Sequence, residues 1–118
     1  MTLPIFRYPR GTPIAYDHVI SGSMTLNPAT VTVVQHLKPA AGQTVPPKTV
    51  ASVATFTVSY VAATGGAAAF WRASLDPATS AALDAGWYAT DAEFIVAGAV
   101  VSVSDPVLIL LAESVTPA

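Results

Sequence analysis

The sequence predicts a small all-β domain, and three observations carry the prediction. Val and Thr are common while the helix formers Glu, Lys, Gln and Arg are scarce, a balance that favours strands. Phe56, Val58 and Tyr60 alternate with Thr55, Thr57 and Ser59 at the two-residue period of a half-buried strand. Turn chemistry recurs along the chain and is densest over residues 83–94, where Gly86 follows a short polar turn and an aromatic, alternating run begins at once.

In order, residues 1–13 read as an extended N-terminal arm. Pro4, Pro9, Gly11 and Pro13 deny it helical and central-strand hydrogen bonding. Phe6 and Tyr8 alternate with Arg7, so both aromatics face one way. Two readings fit the arm: an anchor on a neighbouring subunit, or a segment folded over its own domain. Residues 14–118 form a single domain. Residues 14–20 are a first strand, residues 23–26 a short second piece stopped by Asn27-Pro28, and residues 30–37 a β-branched strand. A Pro- and Gly-bearing loop fills 38–48, a length at which loops are often interaction sites. Residues 50–62 are the next strand, turned by Thr64-Gly65-Gly66 into an antiparallel return over 67–75. Phe70 and Trp71 are consecutive, so one of them faces inward, and Trp71 is assigned there.

One short helical turn is expected near 77–83, with Asp76 as its N-cap, Pro77 at its first position and Leu83 plugging one end of the core. Residues 86–96 are the central strand, with Tyr88, Ala92, Phe94 and Val96 inward. Ala97-Gly98-Ala99 turns the chain into residues 100–103, and Asp105-Pro106 breaks that run. The last strand, from residue 107 to 114, is apolar on both faces, so it lies inside a sheet or presses its outer face on a partner.

The composition excludes several function classes. Charged residues make up 10% of the chain, fewer than a monomer normally carries on its surface. Either part of the surface is hidden against other subunits, or it is coated with Thr, Ser and Ala. The five basic residues are scattered and the net charge is -2, which argues against nucleic-acid binding. Without Cys there is no disulfide or thiolate chemistry, a situation compatible with folding in a reducing cytoplasm. Residues 1–13 lack the apolar core of a signal peptide, and Asp105-Pro106 cuts the greasiest region, so no membrane association is expected.

The corner into the central strand is the most informative stretch. Antibody-like sandwiches carry an Asp-x-Gly/Ala-x-Tyr-x-Cys pattern there, and the Tyr hydroxyl bonds back to nearby backbone. Asp84, Gly86 and Tyr88 stand at the matching spacing, while Thr90 occupies the Cys place. The sequence therefore resembles an Ig-like antiparallel β-sandwich without its intersheet disulfide. From residue 54 to 116 it also resembles the Ig-like modules of tailed-phage structural proteins, similar to the N-terminal domain of upper baseplate proteins. Leu83, Gly86 and Tyr88 match their Leu-x-x-Gly-x-Tyr corner, and Pro106, Ile109 and Leu111 their closing strand. Ser21-Gly22 followed by Ala29-Thr30-Val31 resembles the early strand entry of the same modules. The resemblance implies a non-enzymatic virion subunit (tail, baseplate, neck or capsid accessory), made in the host bacterial cytoplasm. Its partners would be other virion proteins and copies of itself, as a homo-oligomer.

No catalytic constellation is legible. Asp17 beside His18, with His36 elsewhere, lacks the spacing of a metal site. Asp91 and Glu93 share one strand face, as paired glycosidic carboxylates could, but solvated charge or an intersubunit ion pair suits them better. Ser80 and Ser114 sit in no nucleophile elbow, and Gly65-Gly66 leads into no helix. No cofactor is expected. Trp87, facing away from Tyr88, is read as exposed and marks either a protein interface or, with Trp71, Tyr60 and Tyr88, an aromatic carbohydrate platform. The protein interface is the favoured reading, with Phe6, Arg7, Tyr8 and Trp87 as candidate contacts. A carbohydrate-binding module is the alternative.

Overall fold

The computed structural model describes residues 3–19, 29–66, 69–104 and 106–113, with backbone alone at 18 and 19. The elements are β1 (Ile5–Pro9), β2 (Ile14–Val19), β3 (Val31–Pro39), β4 (Ala54–Thr55), β5 (Thr57–Val61), β6 (Phe70–Leu75), α1 (Pro77–Ala82), β7 (Gly86–Val96), β8 (Ala99–Val103) and β9 (Val107–Ala112). The expected short piece at 23–26, Asp105 of the Asp-Pro break and Ser114 lie outside the described residues.

Two sheets form a sandwich. The larger runs β1-β9-β7-β3-β4, with β8 added beside β7, and the smaller runs β2-β6-β5. Most pairs are antiparallel, as expected. The exception is β1, which lies parallel to β9 with Ile5 opposite Leu108 and Pro9 opposite Ala112. The arm is therefore extended but hydrogen-bonded into its own sheet. Its prolines fit an edge position, where missing N–H groups cost no ladder bond.

Packing explains the strand patterns. β7 pairs with β3 along one edge, and on the other with β9 over its first half and β8 over its second. Tyr88, Thr90, Ala92 and Phe94 point from it into the sandwich and are buried. Ile14, Leu37, Phe56, Leu75, Tyr88, Ile109 and Leu111 form one end of the core, with half-buried Leu83 packed against them as expected. Trp71, Ala92 and Phe94 form the other end. Trp71 is inside, as assigned, and stacks edge-on against Tyr60 at 5.1 Å and Phe94 at 6.2 Å. β9 lies between β1 and β7, and its side chains are buried or half-buried on both faces.

The single strand expected over 50–62 is instead two. β4 pairs with β3 in the larger sheet and β5 with β6 in the smaller. The chain crosses between layers at buried Phe56, whose amide donates to the Gln35 carbonyl at 2.8 Å. Alternation survives such a crossing, so it conceals the change of partner. Tyr60 follows Phe56 and Val58 in that pattern yet is partly exposed, at the rim over Trp71.

Candidate functional site

The lower end of the sandwich is tied by one tyrosine and one arginine. Asp76 caps α1, its carboxylate accepting from the Thr79 amide at 2.7 Å, and the Thr79 side chain first and this amide second hold that carboxyl below its usual range. The helix stops at Leu83, and Gly86, at φ +150°, swings the chain into β7 in a conformation a side chain would strain. Tyr88 is then buried with its hydroxyl donating to the Asp84 carbonyl at 2.6 Å. Burial first, and Asp84 second, push the Tyr88 phenol above its ordinary value, with Arg10 opposing. Asp84, Gly86 and Tyr88 thus meet at one corner between α1 and β7.

Arg10 closes the same corner from the β1–β2 turn. Its Nε donates to the Leu83 carbonyl at 2.5 Å, one Nη to the Ala81 carbonyl at 3.0 Å and the other to Glu113 at 2.8 Å. The neighbouring Gly11 amide donates to the buried Ser80 hydroxyl at 3.0 Å. The partners lie about seventy to a hundred residues away in sequence, so no local pattern could reveal Arg10's role.

The candidate interface residues divide between two faces. Phe6 stacks edge-on against Tyr16 at 5.2 Å, and Tyr8 packs on the core with its hydroxyl donating to the Ala15 carbonyl at 2.6 Å. Burial, then Asp17 and Tyr16, raises the Tyr8 phenol. Both aromatics of the arm therefore contact their own chain. Arg7 and Trp87 point the other way. Arg7 pairs with Leu110 and Leu110 with Trp87, which sets all three in a row on the outer face of the larger sheet. Trp87 is half-buried there rather than fully exposed. Trp71 and Tyr88 are internal and Tyr60 lies at the rim of the smaller sheet, so the four aromatics do not share one surface.

That outer face carries a groove of about 330 Å³. Its floor is Val34, His36 and Lys38 from β3 beside Ala89, Asp91 and Glu93 from β7. Val45, Pro46 and Lys48 wall one side, and Val103 and Pro106 the other. The wall exists because the loop folds back on the sheet: Lys38 Nζ donates to the Lys48 carbonyl at 2.9 Å and the Val53 amide to the Leu37 carbonyl at 2.8 Å. Residues 38–48, read as an interaction loop, thus border the groove. Register places His36 opposite Asp91 and Val34 opposite Glu93.

The chemistry available there is limited. His36 Nδ1 lies 3.2 Å from the Thr55 hydroxyl. Asp17 is held by Arg72 at 2.9 Å, so it does not serve as a free base beside His18, whose side chain lies outside the described residues. Among the described residues no three His, Cys, Asp or Glu side chains converge as a metal site, and no helix is long and apolar enough to cross a membrane. The chain matches no family model, and no curated protein or solved structure shows significant similarity to it.

Proposed function

We propose that this chain is a non-enzymatic structural subunit of a tailed-phage particle, acting through contacts with other virion proteins and with copies of itself. The observation that carries the reading is an asymmetry between the two outer faces. On the smaller sheet, Asp17 and Arg72 neutralise one another and Arg72 lies 5.1 Å over the Phe70 ring, among Ser59, Ser74 and Thr57. On the larger sheet, exposed valines border a groove whose lysines and carboxylates form no ion pair among the described residues. A surface of this kind suits docking. The corner at Gly86 and Tyr88, the sparse charge and the closing strand at Pro106, Ile109 and Leu111 support placing it in a virion.

The test is co-sedimentation of the purified chain with particles or particle components, together with its own association state. Binding or self-association is expected. A chain that remains monomeric at high concentration and ignores particle components contradicts the reading.

A further inference from the structure

We propose that the outer face of the larger sheet is the docking site for a second copy of this chain, arranged about a twofold axis that lies in the interface and crosses the strands. The proposal deepens the assembly reading above and rests on it for the expectation of self-association. Its geometry comes from the order of charges along β3 and β7.

Lys38 lies opposite Ala89, two residues before Asp91 and four before Glu93 on β7. Lys48 sits beside Lys38 in the groove wall, and Arg7 is one row further from the acids, level with Trp87. Cations therefore occupy one end of the face and carboxylates the other, about 7 to 13 Å apart at ~3.3 Å per residue. Among the described residues the ion pairs are Arg10–Glu113 and Arg72–Asp17, so neither lysine and neither groove carboxylate has one.

A twofold axis across the strands reverses strand direction between copies. It sets the cationic end of each face over the acidic end of the other, giving an isologous, self-complementary contact. An axis along the strands would set like charge on like. Apolar surface surrounds the charges on the same face: Ile5 is 43% exposed, Val45 42%, Val100 51% and Val103 51%. Pairing fixes the side on which the strand residues project, because Val103 lies opposite Glu93, Val100 opposite Ile95 and Ile5 opposite Leu108. The six strands of this sheet span roughly 600 Å² at ~4.8 Å and ~3.3 Å spacings, against ~800 Å² per partner in a stable interface, and the loop around Val45 and Lys48 adds to the face.

Sedimentation velocity on the full chain, from micromolar to submillimolar concentration, tests this. The unmodified chain is expected to dimerise, and more weakly as salt rises. Lys38→Glu with Lys48→Glu, or Asp91→Lys with Glu93→Lys, should each weaken self-association about tenfold or more. An equimolar mixture of the two double variants should restore a dimer, since each then faces its opposite; restoration also shows that both are folded. A monomeric wild type, a dimer indifferent to both reversals and to salt, or a mixture that fails to restore dimers overturns the proposal. If either variant does not fold, the salt series on the unmodified chain decides. A dimer indifferent to these changes leaves the assembly reading standing, as does a monomer that co-sediments with particle components; a monomer that does neither removes both.

Discussion

The Tyr88 hydroxyl reaches back four residues to donate to the Asp84 carbonyl at 2.6 Å, clamping the corner between α1 and the central strand. Removing it as Tyr88→Phe should cost about 0.5–1.5 kcal/mol in urea unfolding, the usual worth of such a bond. The clamp also makes stability pH-dependent. The folded phenol titrates above the ordinary 10.0, so the folded state holds this proton more tightly than the unfolded chain. The contribution is complete below pH 10 and is lost as pH rises through the folded value. Denaturation series at neutral and alkaline pH should show a steeper alkaline loss for the wild type than for Tyr88→Phe.

Arg10 should matter through backbone carbonyls more than through its ion pair. Glu113 is largely exposed, so Glu113→Gln is expected to cost at most about 1 kcal/mol. Arg10→Met also abandons the Ala81 and Leu83 carbonyls, and about 2 kcal/mol is expected from two charge-assisted bonds. Equal losses for both substitutions would assign the effect to the ion pair instead.

Gln35 and Thr90 form a hydrogen bond of 3.0 Å in the buried layer, the Gln35 amide donating to the Thr90 hydroxyl. Thr90→Val keeps the shape but withdraws an acceptor from a buried amide, and should cost about 1–3 kcal/mol. Thr90→Ser retains the hydroxyl and should cost less than half as much. Thermal unfolding of the two variants distinguishes a polar contribution from one of volume.

Ala97 is a residue other than glycine at positive φ, 52°, in the two-residue turn joining β7 to β8. Such turns favour Asn-Gly, and Gly98 already occupies the second place. Ala97→Asn should therefore stabilise the domain by about 0.5–1 kcal/mol, raising the denaturant midpoint without changing the slope.

Particular residues show what the sequence made legible. Gly86 and Tyr88 announce the corner because both the turn and the aromatic alternation are local. Asp76 and Pro77 announce the helix for the same reason, and the unbroken apolar run from Val107 announces a strand buried on both sides. The crossing at Phe56 was hidden, because a strand that changes sheets keeps its two-residue alternation. The parallel pairing of β1 with β9 joins segments a hundred residues apart, and no local pattern encodes it. The groove was legible only in pieces. Asp91 and Glu93 reveal a shared face, but their nearness to Lys38 and Lys48 depends on the β3–β7 register and on how the loop folds back.

The most direct measurement of the central claim is a dilution series followed by amide NMR. Docking through the larger sheet predicts concentration-dependent shifts at Trp87, Asp91, Glu93, Val103 and the loop around Lys48, with the Asp17 and Arg72 face unchanged. Shifts confined to the Asp17 and Arg72 face, or none at any concentration, would contradict it.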